Sequence, residues 1–384
     1  MEINVVNIDE VVLQDLCTPR SSSGGWKIRK VPQCLRDENK DHLYDPKIVS
    51  FGPYHHGNPK FQITEEYKYK VMQHLIPGHN DVVNNYNSFL VSIKEIRDCY
   101  VEGSTDRYSD AELARMMLLD ACLLLSYMLD FTLAFGALDR VTILAIVNDI
   151  LLLENQIPLW ILKREVYVPG YNSGRPNSLA TDQFPSTCFQ MYFRCARVSK
   201  NQREVDGINS FRSVRDLKSK GILCKPSSLK TLTGIKFKSH YLFAQLELPP
   251  LRIDIISMVT YANMIAYEMS IDTSAMAIDF QITNYVNFMK SLVISAEDVK
   301  ELREQGILFN GLGTDKEVVK VLQEIPAGPL ISFGSFLDVK REIQHHTSSK
   351  KGIFLAELFS THFSSPWSIM ALLVVIVLLG LTLV

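Results

Sequence analysis

The stretch that most constrains this chain is its last: after Pro366 it reads WSIMALLVVIVLLGLTLV, without a single charge. Wound as an α-helix, residues 366–384 extend about 28 Å, close to the hydrocarbon thickness of a bilayer. Ser368 and Thr382 are the only hydroxyls in the run, and they can bond back to their own helix backbone. Trp367 stands at its start, where an indole favours the headgroup boundary. The run therefore predicts a single membrane-spanning helix with Trp367 at the interface and the lipid bilayer as a partner.

Two other apolar stretches meet the same test and fail it. Residues 114–135 contain Arg115, Asp120 and Asp130, and residues 141–162 contain Asn148, Asp149, Glu154, Asn155 and Gln156. A charge at the bilayer centre costs about 2.5–3.5 kcal/mol, so several in one span are prohibitive without partners. Both stretches read as core helices of a globular body. Nothing follows residue 384, so the expected insertion is post-translational and leaves the body in the cytosol. Lys340, Arg341, Lys350 and Lys351 precede the span, in agreement with the positive-inside rule.

The rest of the chain reads as that body. At 384 residues it is long enough to bury a large core, and 47% hydrophobic with 21% charged residues is a globular rather than a disordered balance. A net charge of −2 gives no global reason to expect nucleic acid. The seven cysteines, Cys17, Cys34, Cys99, Cys122, Cys188, Cys195 and Cys224, form no C-x-x-C pair and leave one over, which suits reduced thiols in a reducing compartment. The acidic start, with Glu2, Asp9, Glu10 and Asp15, is not a secretory signal.

Along the chain, residues 1–25 form a loose lead-in that ends in TPRSSSGG. Residues 48–51 have the composition of a short strand, closed by the turn signals at 52–53 and 57–59. Residues 64–76 have helical spacing and stop at Pro77-Gly78. Ser109 with Glu112 and Thr314 with Glu317 are capping boxes, which mark helix starts. Leu242, Ala244, Leu246 and Leu248 alternate as a strand does, up to Pro249-Pro250, and residues 254–270 return to helical spacing. The expected fold is mainly α with a few short β-strands: one globular body over 26–345, a juxtamembrane linker over 346–365, and the terminal transmembrane helix.

Three groups of residues are candidates for function. Tyr54, His55 and His56 cluster in one turn signal and read as turn packing or as a partner contact. Adjacent histidines point in different directions, and no Cys or carboxylate at ligand spacing completes a metal site. Glu154, Asn155 and Gln156 end an apolar run, where they can fix a helix end or a neighbouring loop by hydrogen bonds. Asp120, on an apolar helix, needs a buried partner, and Arg115 at i−5 is badly placed to be one. Finally, residues 194–240 hold twelve Lys or Arg against three acids. Arg194, Arg197, Lys200, Arg203, Arg212, Arg215, Lys218 and Lys220 in that stretch read as a solvated surface, or as a contact with anionic lipid or an acidic protein. No nucleophile elbow, P-loop, dinucleotide fingerprint or H-E-x-x-H occurs, and Cys122 has the apolar setting of an inert thiol.

Several blocks resemble a known family in order along the chain. They are YDPKIVSFGPYHHG at 44–57, MMLLDACLLLSYM at 116–128, DILLLENQIPLWIL at 149–162, LPPLRID at 248–254, ANMIAYE at 262–268, GLGTD at 311–315 and FSSPW at 363–367. Together they resemble the plant family catalogued as domain of unknown function 247 (uncharacterised protein family 0481), over nearly the whole chain from about residue 27. The family's usual basic tail after the terminal helix is missing here. The resemblance implies a plant membrane protein of undefined biochemistry, at the plasma membrane. Some grass members are associated with pollen self-incompatibility, which implies a recognition role.

The expected function is thus that of a membrane-anchored, non-enzymatic recognition or signalling protein that needs no cofactor and acts on an unknown protein partner. The alternative is a membrane-bound hydrolase or transferase with an active site around His55, His56 and Glu154.

Overall fold

The computed structural model describes residues 27–36, 41–129, 139–164, 166, 168, 213–229, 232, 234–240, 243–270, 280–326, 336–348 and 374. In chain order its helices are α1 (Gln33–Arg36), α2 (Gln62–Leu75), α3 (His79–Val91), α4 (Ile93–Asp98), α5 (Asp110–Leu129), α6 (Arg140–Ile150), α7 (Trp160–Arg164), α8 (Val214–Ser219), α9 (Ser257–Ser270), α10 (Gln281–Leu292), α11 (Ala296–Glu304), α12 (Asp315–Glu324) and α13 (Leu337–Ser348). The strands are β1 (Ile222–Pro226), β2 (Lys236–Ser239), β3 (Ala244–Leu248), β4 (Leu251–Ile253) and β5 (Leu308–Asn310). The chain divides into two compact units, Met1–Arg197 with Met258–Ile278, and Val198–Ser257 with Asp279–Val384.

The first unit is built on α5. Ser109 starts this helix as the sequence indicates: its hydroxyl accepts the Glu112 amide, and Glu112 Oε2 accepts the Ser109 amide in return. From Leu113 to Leu125 nearly every side chain is buried, including Met116, Met117, Leu119, Cys122 and Leu123. A helix apolar over most of its circumference is stable only when largely surrounded. Helices α2 and α3 pack against it, with Val71, Met72, Leu75 and Phe89 in the shared core. Helix α9 joins this unit late in the sequence. Its buried Asn263 accepts the Leu153 amide and donates to the Leu43 carbonyl.

The second unit carries both small sheets. β3 lies between β1, which is parallel to it, and β2, which is antiparallel, with Cys224 opposite Leu246 and Phe237 opposite the same residue. Ala244, Leu246 and Leu248 are buried in alternation, as the period of two requires. β4 pairs in parallel with β5. Helices α11 and α12 both begin with complete capping boxes, Ser295 with Asp298 and Thr314 with Glu317.

The membrane expectation is corrected here. No helix among the described residues is long and apolar enough to cross a membrane. α5 has 20 residues, but Asp110, Glu112, Arg115 and Asp120 interrupt its apolar surface, and it is a core helix. Of residues 366–384 only Val374 is described; the others, with Trp367, lie outside the described residues. The transmembrane helix, the interface role of Trp367, the bilayer as partner and the plasma-membrane location are therefore withdrawn. The membrane-anchored recognition or signalling function of the self-incompatibility kind, and the membrane-bound hydrolase or transferase, lose the anchor on which both were built. What stands is a mainly helical globular domain with a few short strands.

Candidate functional site

Residues 48–51, within the segment 44–57, do not form the short strand that their composition suggests. Their amides are taken by side chains from far along the chain instead of by a neighbouring strand. Asp149, at the end of α6, accepts three successive amides: Lys47 at 2.8 Å, Ile48 at 2.7 Å and Val49 at 2.9 Å. Asn155 accepts the Phe51 amide at 2.6 Å and returns a bond to the Val49 carbonyl at 3.0 Å. Asp120, from the middle of α5, accepts the Gly52 amide at 2.7 Å. Such bonds replace a ladder in satisfying buried backbone groups. Gly52 sits at φ +72°, and a Cβ there would lie 2.4 Å from the Gln156 carbonyl oxygen, so only glycine fits.

Beneath this segment is a buried ionic group. The Lys68 ammonium, on α2 and fully sealed from solvent, donates to Asp120 Oδ1 at 2.6 Å, Glu65 Oε1 at 2.6 Å and the Ser50 carbonyl at 2.5 Å. A buried ammonium has three protons to place, and here all three have acceptors. Burial alone would lower the Lys68 pKa, but Asp120 and Glu65 outweigh it and raise the value. Burial pushes Asp120 up from 3.8 to about 6 against the pull of Lys68. Asp120 does have a partner outside its own helix, as its position demanded; the sequence offered no signal to single out Lys68, one of two lysines on α2.

A second ionic group holds the start of the unit. Glu154 Oε1 accepts the Val31 amide at 2.7 Å and lies 3.0 Å from the Arg36 guanidinium, which also reaches Asp45 at 2.8 Å. Burial raises the Glu154 pKa, but the His55 contact, the Val31 amide and Arg36 together bring it below the ordinary value.

The turn at 53–57 is carried on these two groups. His55 Nε2 is 3.5 Å from Glu154 Oε2, and His56 Nδ1 is 3.7 Å from Glu65 Oε2. The adjacent histidines thus diverge, each towards a different carboxylate. The His56 ring packs edge-on against Tyr108. Burial holds the His56 pKa below 6.5, and the charges of Lys68, Arg115 and Arg107 add to that against Glu65. Tyr54 donates to the Ile28 carbonyl at 2.8 Å and stands edge-on to Tyr100. From the other side the Arg107 guanidinium donates to the Pro53 and Tyr54 carbonyls, and the Tyr108 hydroxyl to Pro53 at 2.9 Å.

The structure therefore brings Tyr54, His55, His56 and Glu154 together, but Glu154 already serves an amide and a guanidinium. Among the described residues neither His55 Nε2 nor His56 Nδ1 has a hydrogen bond to a serine, cysteine or threonine nucleophile. Burial drives the Cys122 thiol up to about 12, which makes it inert. No group of three or more metal-binding side chains occurs among the described residues. Of the basic stretch, Arg194, Arg197, Lys200, Arg203 and Arg212 lie outside the described residues. On α8, Lys218 pairs with Glu301 at 2.7 Å, Lys220 lies 3.4 Å from Asp216, and the Arg215 amide donates to Asp298. The charges of Lys218 and Lys220 are already matched within the fold.

Comparison with known proteins follows the same span. The chain is 23% identical over 394 residues to the UPF0481 protein At3g47200 of Arabidopsis thaliana, covering 88% of this chain and 81% of that protein. It is 28% identical over 170 residues to the putative UPF0481 protein At3g02645 of the same plant, covering 44% of this chain and 31% of that one. No solved structure matches. The family model DUF247, plant protein of unknown function, matches residues 28–381, which take in both ionic groups and the turn they carry, and the chain belongs to that family.

Proposed function

We propose that this chain is a non-catalytic protein-recognition domain, and that the turn at 53–57 is its contact surface. The observation that carries this reading is the anchoring of one short segment by Asp120, Asp149, Asn155 and, through His55, Glu154. A loop held by so many distant acceptors is preorganised, which lowers the ordering cost of binding. The same anchoring argues against catalysis. Each carboxylate near the histidines is engaged by a cation or an amide, and a general base must be free to take a proton. Neither Arabidopsis relative has a name that states an activity.

The test is proximity labelling in plant cells with the full chain tagged at its N-terminus, comparing wild type with a His55→Ala/His56→Ala variant. Both side chains are partly exposed, and the circular dichroism spectrum should be unchanged. The variant is expected to lose a defined subset of labelled neighbours. An identical set of neighbours would remove the turn as the contact surface.

A further inference from the structure

Around the anchored turn stand four cations that pair with no carboxylate among the described residues. Lys30 is exposed, with its ammonium 5.5 Å from the Tyr54 ring centroid, and the charge of Arg29 acts on the same tyrosine. Arg107 is exposed; among the described residues its guanidinium bonds to the Pro53 and Tyr54 carbonyls and lies over the Tyr108 ring, none of which carries a net charge. Arg115 projects from α5 into solvent, close enough to His56 to act on its proton affinity together with Arg107. None of the four forms an ion pair among the described residues. Arg36, Lys68 and Arg97 of the same unit all do.

The acids of this region form no ion pair with them among the described residues, although the charge of Arg115 reaches Glu112. Glu154 and Glu65 are turned inward to Arg36 and Lys68. Glu112, one turn before Arg115, holds the Ser109 amide and hydroxyl. Glu102 and Asp106 lie in the same connecting segment as Arg107 and pair with none of the four. The result is an anchored turn ringed by four cations that no ion pair holds among the described residues, with Tyr54 and two histidines at its centre.

From this charge pattern we propose that the turn receives an acidic segment of a partner protein, whose Asp or Glu carboxylates pair with Arg29, Lys30, Arg107 and Arg115. The proposal rests on the recognition reading above and adds the chemistry of the partner. Guanidinium groups suit it, because they meet carboxylates in a two-pronged geometry. Unpaired charge at the rim of a binding surface steers association and selects partners by sign.

The experiment uses the full chain and a fluorescein-labelled peptide of about ten glutamates, with binding read by anisotropy at physiological salt. The test variant is Arg29→Gln/Lys30→Gln/Arg115→Gln, which leaves Arg107 and its carbonyl bonds intact. The control is Lys300→Gln/Lys316→Gln/Lys320→Gln, an equal change of charge at exposed positions of α11 and α12. Saturable binding to wild type is expected, weakened about tenfold or more in the test variant and less than about twofold in the control. Absence of saturable binding would overturn the proposal, and so would equal weakening in both variants, which marks non-specific attraction. If the His55/His56 variant loses its neighbours in cells while the peptide fails to bind, the partner chemistry is wrong and the recognition reading stands.

Discussion

Lys68 ties three parts of the first unit together through one buried ammonium. Its three acceptors come from α2, from α5 and from the anchored segment. Replacing it by methionine keeps the volume and leaves Asp120 and Glu65 without their cation. Breaking a buried pair on one side costs about 3–5 kcal/mol, because the remaining charge stays uncompensated. Urea denaturation of Lys68→Met should show a loss of that size, and Lys68→Met/Asp120→Asn should recover part of it, since asparagine still offers an oxygen to the Gly52 amide. An additive double variant would mean that the two side chains do not act as a pair.

Two groups of this cluster titrate in opposite senses. The Asp120 pKa rises from 3.8 to about 6 on folding, so the folded chain holds a proton that the unfolded one releases. Its contribution to stability is full below pH 3.8 and is lost as pH rises through about 6. His56 has a folded value below 6.5, so its contribution is present above pH 6.5 and is lost as pH falls through that lower value. Across pH 4 to 8, His56→Gln should lose less stability on acidification than wild type. Asp120→Asn should lack the decline on going from pH 4 to 6. Matching pH profiles for all three proteins would contradict both assignments.

At the scale of the element, the anchored turn separates two glycines of similar backbone. Gly52 and Gly57 both have positive φ, at 72° and 81°. A Cβ on Gly57 meets nothing within 4 Å, whereas one on Gly52 runs into the Gln156 carbonyl at 2.4 Å. Gly57→Ala should therefore cost only the strain of the left-handed backbone, about 1 kcal/mol, and Gly52→Ala clearly more, because the Gln156 backbone must also move. Thermal unfolding of the two variants would decide it; equal shifts would mean that the close approach is relieved without cost.

The elements also show what could be read from the chain alone. Helices α2, α5, α6, α9 and α12 announced themselves through capping boxes or apolar spacing, because those signals lie within a few residues of one another. Segment 48–51 did not. Its apolar, β-branched residues match a strand, and what satisfies its amides is Asp149 and Asn155, about a hundred residues away. Glu154, Asn155 and Gln156 were legible as residues that fix a loop, but not which loop they fix. The two histidines were visible as a pair, while the carboxylates they face depend entirely on how α2 and the segment after α6 pack.

At the scale of the whole molecule, the chain leaves the first unit after Arg197 and returns for Met258–Ile278. The return is part of that unit's construction. Asn263, on α9, is fully buried; it satisfies the Leu153 amide at 2.9 Å and the Leu43 carbonyl at 2.8 Å. Leu43 leads into the anchored segment and Leu153 precedes Glu154, so α9 holds the two strands of chain that position the turn. A piece ending at residue 197 would leave both backbone groups without this partner and would lack α9, whose Ala262, Met264, Ile265 and Ala266 are buried. A buried amide or carbonyl left unmet costs about 1–3 kcal/mol, a large part of a domain's net stability. Asn263→Ala in the full chain should therefore destabilise by roughly that amount or more, read by urea denaturation. A fragment of residues 27–197 should show no cooperative unfolding transition, since its missing helix comes from sixty residues further on. A cooperative transition in that fragment, close to that of the full chain, would show that the first unit folds without its returning helix and that the turn is positioned by the N-terminal segment alone.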